Sequence, residues 1–165
     1  MSLHRVWKVG ADIDTDALAP GAWMKQGIAV LATHCLEGVR PEFAALVQPG
    51  DVLVAGPNFG IGSSREQAAS ALVHLGLSAV IAPSYGGLYF RNAFNVGLLL
   101  LTCPQAEQLQ EGERIELDLM TLQLHNAAGQ ALACEPIPGF LLDMVRAGGL
   151  LNTLKQRLAQ EKTPS

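Results

Sequence analysis

An α/β domain with parallel strand pairing is the fold class this chain predicts, and three observations carry it. Apolar runs at 51–55, 79–82 and 98–102 have the length of buried strands, residues 64–75 and 88–96 between them have helical composition, and the order alternates strand, helix, strand, helix, strand. Strands linked by helical crossovers pair in parallel. With 165 residues, 49% of them hydrophobic, the chain suits one domain over 1–165 with its own core and is not a disordered segment.

Taken in order, Arg5 to Val9 reads as a first strand, followed by a polar loop through Asp12, Asp14 and Asp16 and an irregular segment to about Gly38. The three aspartates lack the glycine and distal glutamate of a calcium loop. Aspartates so placed ordinarily make turns or cap helices. Pro41 to Val47 reads as a short helix, Asp51 to Ala55 as a strand, Ser64 to Leu75 as a helix, Ala79 to Ala82 as a strand, Leu88 to Val96 as a helix and Leu98 to Thr102 as a strand. Glu113 to Leu119 and Leu122 to His125 alternate around Met120-Thr121, which predicts a hairpin. Phe140 to Leu158 predicts a C-terminal helix broken at Gly148-Gly149, with the tail from about Gln160 frayed.

The formal charge of −4, with 11 Lys and Arg scattered along the chain, gives no basic face for nucleic acid. No apolar run reaches the roughly 20 residues of a membrane span, and residues 1–5 lead into a strand without a signal-peptide core, so no membrane and a cytoplasmic location are expected. Cys35, Cys103 and Cys134 are too far apart for a Cys-x-x-Cys site and read as buried or half-buried thiols, so no metal or cluster is expected in this chain. Nothing pairs the four histidines with a serine and carboxylate as a hydrolase triad requires. His34 reads as structural, and His74 as a packing or surface residue.

The chemistry concentrates in Gly56-Pro-Asn-Phe-Gly-Ile-Gly-Ser-Ser-Arg-Glu66, a strand, a glycine-rich turn and a helix start. Helix-start amides and the helix dipole favour an anion there. Ser63 and Ser64 offer hydroxyls for proton transfer, and Arg65 offers a planar fork for a carboxylate. Ser63-x-x-Glu66 and Ser64-x-x-Gln67 also fit capping boxes, but capping leaves the three glycines, the second serine and the arginine unexplained. The Gly-Lys-Ser/Thr of a phosphate-binding P-loop is missing, so a small acidic ligand is expected rather than a nucleotide.

Those residues carry a resemblance. Asp12-Ile-Asp-Thr-Asp16, Pro20-Gly-Ala-Trp-Met24, His34-Cys-Leu-Glu-Gly38, Pro41-Glu-Phe43, Asn58-Phe-Gly-Ile-Gly-Ser-Ser-Arg-Glu-Gln67, Ala79-Val-Ile-Ala82, Phe90-Arg-Asn-Ala-Phe-Asn-Val-Gly97 and Pro136-Ile-Pro138 stand in order along nearly the whole chain. It resembles the small subunits of the isopropylmalate isomerase and homoaconitase group, similar to the mobile C-terminal domain of aconitase. The resemblance implies a single compact swivelling β/β/α domain that forms half of a hydro-lyase. Its substrate would be a small hydroxy-dicarboxylate or tricarboxylate, isomerised by loss and readdition of water. By the same resemblance Ser63 is the catalytic base, Asp16 supports its surroundings, and Ser64 and Arg65 hold substrate carboxylate. Trp23, Met24 and Lys25 lie in the stretch that meets the substrate's variable group. A separate large subunit is implied as partner, carrying a 4Fe-4S cluster whose iron acts on the leaving hydroxyl.

The sequence departs from that pattern at three places: Ile61 stands where a cysteine is usual, Gln67 where many members carry histidine, and Gly86-Gly87 where the pattern carries Ala-Arg. The last removes one positive charge near the site. Two function classes follow, one half of a heteromeric hydro-lyase or a non-catalytic binding or regulatory module of the same fold, and the intact Ser63, Ser64 and Arg65 favour the enzyme. Trp23-Met24 suits a branched alkyl group as in isopropylmalate, whereas Lys25 and Gln67 suit a third carboxylate. A hydrated lysine on a flexible stem is expected to stay in solvent, which favours the isopropylmalate-like substrate.

Overall fold

The structure is a computed structural model describing residues 3–162. Among the described residues seven strands form one sheet in the order β4-β3-β2-β1-β5-β6-β7. Strands β1 (His4–Lys8), β2 (Val52–Val54), β3 (Ala79–Ala82) and β4 (Leu100–Thr102) are mutually parallel, while β5 (Arg114–Asp118), β6 (Gln123–His125) and β7 (Ala131–Ala133) continue the sheet antiparallel from β1. The central strands β2 and β3 are buried at every residue, as their unbroken apolar runs require. Beyond β7 the Glu135 amide donates to the Thr102 carbonyl at 2.8 Å, so the sheet curls until its two edge strands meet.

Helices α1 (Thr15–Leu18), α2 (Ile28–Thr33), α3 (Phe43–Leu46), α4 (Gln67–His74) and α5 (Gly87–Asn95) precede or link the parallel strands. The short residues Ala68, Ala69 and Ala71 let α4 pack closely, and it meets α1, α2 and α5. Phe43, Phe59, Phe94, Leu53, Leu72 and Ile81 are fully buried in the core. Helices α6 (Gly139–Ala147) and α7 (Leu150–Lys162) break at the expected Gly148-Gly149, and α7 stays helical through Gln160 to Lys162. The rest of the expected frayed tail lies outside the described residues.

Three elements differ from the sequence reading. The segment expected to be irregular to Gly38 contains α1, a 3-10 turn at Gly21–Trp23 and α2. The helix expected from Ser64 starts at Gln67, because Ser63 to Glu66 are taken up in the turn that leads into it. Strand β7 adds a partner to the expected hairpin of β5 and β6.

Candidate active site

Past the carboxyl ends of β1, β2 and β3 the three chains stay side by side, the position where parallel sheets ordinarily present ligand sites. Residues 10–15 run along 56–61 through Gly56 N to Gly10 O at 3.0 Å, Asp12 N to Pro57 O at 2.9 Å, Gly60 N to Ile13 O at 2.6 Å and Thr15 N to Ile61 O at 2.9 Å. On the other side Phe59 N donates to Ser84 O at 3.1 Å and Gly86 N to Phe59 O at 2.9 Å. The glycine turn is thus held from both flanks.

Gly60 shows why this turn needs glycine. It has φ of +82°, and a Cβ there would lie 2.2 Å from Cγ of Tyr89. Tyr89 is buried, packs edge-on against Phe59 and donates its hydroxyl to the Ala68 carbonyl at 3.1 Å, so one ring ties α5 to the turn and to the start of α4.

The aspartates divide their work. Asp12 accepts from Asn58 Nδ2 at 2.9 Å, and Asp14 caps α1 by accepting from Ala17 N at 2.8 Å, the turn and cap roles expected of them. Asp16 reaches the glycine turn instead: its Oδ1 accepts from Arg65 Nη1 at 2.8 Å and from the Gly21 amide at 3.2 Å. The hydrogen bond from Arg65, then that from Gly21, holds the Asp16 carboxyl below its ordinary value. Arg65 Nη1 also donates to the Ala19 carbonyl at 3.0 Å. Among the described residues Nε and Nη2 of Arg65 have no hydrogen-bond partner, so three of its five N–H bonds, on one edge of the fork, stay open to a carboxylate.

Ser63 and Ser64 are exposed, and neither capping box forms: Glu66 occupies the N-cap of α4 without a side-chain cap bond. Their hydroxyls are therefore not consumed by the helix. The Ser63 hydroxyl lies 3.4 Å from that of Thr15.

Trp23 and Met24 are half-buried and Lys25 is exposed, on a segment anchored to Asp16 through the Gly21 amide. The Trp23 ring stacks on His34 with centroids 3.7 Å apart and planes within 3°, and His34 Nδ1 pairs with Glu37. Gly87 begins α5 with open space beside it and supplies no charge. The structure therefore joins Asp16, Arg65 and the Trp23 segment in one network with Ser63 on the adjoining turn, and leaves Lys25 toward solvent.

Thr15 and the Trp23–His34 stack were not anticipated from sequence. A signal for Thr15 existed: Ile13 and Thr15 are buried while Asp12, Asp14 and Asp16 are exposed, a period of two that marks the threonine as inward-facing.

Cys35 and Cys103 are buried and Cys134 half-buried, as expected. Burial pushes the Cys35 thiol up to about 12. Among the described residues no three His, Cys, Asp or Glu side chains gather to hold a metal ion. No helix among them is long and apolar enough to cross a membrane.

The aconitase C-terminal domain family matches residues 41–106. The 3-isopropylmalate dehydratase small subunit of Nautilia profundicola is 42% identical over 160 residues, 96% of each chain. This chain belongs to the 3-isopropylmalate dehydratase small-subunit family. A small subunit of that family from Thermodesulfovibrio yellowstonii is 41% identical over 95% of each chain. The methanogen homoaconitase small subunit of Methanothermobacter thermautotrophicus stands at a similar level, 41% identical over 90% of this chain and 87% of its own. The crystal structure of 3-isopropylmalate dehydratase (leuD) from Methanocaldococcus jannaschii superimposes with a TM-score of 0.90 at 40% identity over 97% of both chains. The swivel-type α/β fold implied by the sequence is thus the fold of the small-subunit family.

Proposed function

We propose that the chain is the small subunit of a cytoplasmic heteromeric hydro-lyase that interconverts 2-isopropylmalate and 3-isopropylmalate by dehydration and rehydration, a step of leucine biosynthesis. The observation that carries the reading is the Asp16–Arg65 pair beside uncapped Ser63, on a turn held over the ends of three parallel strands. Family membership along the whole chain supports it.

In this reading Arg65 binds a substrate carboxylate through the N–H groups that Asp16 leaves open, and Ser64 donates beside it. Asp16 keeps the guanidinium in place rather than touching the reacting carbon. Ser63 Oγ takes the proton from the carbon next to the carboxylate. The C–H electron pair becomes the new double bond as hydroxide leaves the neighbouring carbon, and readdition of water to the other carbon completes the isomerisation. A serine base is costly to form in water, and the positive charge of Arg65 two positions along the same turn lowers that cost. Trp23 and Met24 offer apolar surface to the isopropyl group, while exposed Lys25 leaves a third carboxylate without a buried cation.

The residues here do not suit an iron–sulfur cluster. Cys35 is buried with its thiol held protonated, and Cys103 and Cys134 lie beside the β4–β7 seam, so no set of three thiolates converges among the described residues. The 4Fe-4S cluster is assigned to a partner large subunit, so neither half works alone. The test is reconstitution: the purified chain is expected to be colourless and inactive, and turnover of 3-isopropylmalate to appear on mixing with a cluster-bearing large subunit. A stoichiometric cluster absorption, or turnover by the chain alone, would overturn the two-subunit reading.

A further inference from the structure

Among the described residues Thr15 and Asp51 are the buried polar ones, and Thr15, 3% exposed, lies directly beneath the Ser63 turn. Its backbone is tied at both ends, the amide donating to Ile61 O at 2.9 Å and the carbonyl accepting from Ala19 N at 2.8 Å. As the first residue of α1 it has no helical carbonyl one turn earlier for its hydroxyl to bond back to. Among the described residues the partner of the Thr15 hydroxyl is Ser63 Oγ, at 3.4 Å.

The turn is shaped to permit this approach. Gly62 has φ of +107°, and a Cβ there would sit 3.1 Å from Thr15 Oγ1, tighter than ordinary contact. A side chain at this position would press on the Thr15 hydroxyl and strain the backbone. At 3.4 Å the contact is longer than the best hydroxyl pairs, within the looser range that catalytic hydrogen bonds show before substrate binds.

We propose that Thr15 is a positioning residue for the base: its hydroxyl donates to Ser63 Oγ, aims the lone pair at the substrate and favours the deprotonated serine. Once Ser63 has lost its proton it can only accept, so the direction of the bond is fixed. Thr15 keeps its own proton throughout, and the proton from substrate carbon goes to a second lone pair of Ser63 Oγ. The inference rests on Ser63 being the base.

The test uses the reconstituted two-subunit enzyme with Thr15→Val, Thr15→Ser and Ser63→Ala. Thr15→Val removes the donor at nearly constant shape and is expected to lower kcat roughly tenfold to a hundredfold with KM within about twofold. The acid-side limb of its kcat profile should move to higher pH, because the proton on Ser63 is no longer disfavoured. Thr15→Ser keeps a donor and should stay within about threefold of the native kcat. Equal losses in Thr15→Val and Thr15→Ser, a loss that tracks weakened binding to the large subunit, or native kcat in Thr15→Val beside an inactive Ser63→Ala would each overturn the role of Thr15. Full turnover in Ser63→Ala would instead remove Ser63 as the base.

Discussion

Gly60→Ala should damage the site turn far more than its added methyl group suggests. The new Cβ would lie 2.2 Å from Cγ and 2.7 Å from Cβ of Tyr89, the root of the side chain rather than a flexible end. Tyr89 cannot swing aside, since it is buried, packed on Phe59 and bonded to the Ala68 carbonyl. Turn and helix must therefore separate by about 1 Å, with an overpacking cost of ~1–3 kcal/mol. The φ of +82° adds ~1–2 kcal/mol for an L-residue in the left-handed region. The sum, about 2–5 kcal/mol, corresponds to a fall in Tm of roughly 4–20 °C for a chain of this size. Urea unfolding followed by far-UV circular dichroism should show the lower midpoint with an unchanged slope. A midpoint equal to the native one would refute the packing argument for this turn.

Asp51 accepts from Trp7 Nε1, Arg5 Nη2 and the Gln48 amide, at 2.8, 2.9 and 2.9 Å. Burial pushes its carboxyl up, but the bonds from Gln48, Trp7 and Arg5 outweigh that and hold it below its ordinary value. Asp51→Asn should thus cost about 2 kcal/mol at pH 7, and because the depressed group stabilises fully above its unfolded value of about 4, the gap should narrow below that and be lost as pH falls through the lower folded value. Thermal melts of both proteins from pH 7 to pH 3 check this, and a gap that does not narrow below about pH 4 would contradict it. Lys25→Met should leave kcat/KM for 3-isopropylmalate within about twofold, since the ammonium is in solvent. A native preference for the tricarboxylate homoaconitate that collapses in the variant would show that Lys25 turns inward.

Much of the parallel sheet was legible because β2 and β3 are unbroken apolar runs and β4 is apolar until Thr102 at its end. Helix α2 was not: Ile28–Thr33 has no side-chain cap and follows Gly27 in a left-handed conformation, so no local signal marks its start. Strand β7 is three residues of Ala-Leu-Ala, and only its pairing with β6 makes it a strand. The serines were read as opening a helix because Ser-x-x-Glu has capping spacing, yet the chain turns through Glu66 before α4 begins. Asp16 and Arg65 stand 49 positions apart, and their pairing follows from the loops running side by side, a long-range register that no local pattern encodes.

The central claim is that Ser63 is a base and not a structural hydroxyl, and kcat of Ser63→Ala in the reconstituted enzyme tests it most directly. Ser63 is exposed and caps no helix, but its removal leaves the buried Thr15 hydroxyl without its partner, so a stability loss of about 1 kcal/mol with assembly with the large subunit intact is expected. Loss of the base should lower kcat by about 10²–10⁴ with little change in KM. A Ser63→Ala enzyme that assembles normally and turns over at the native rate would contradict the account.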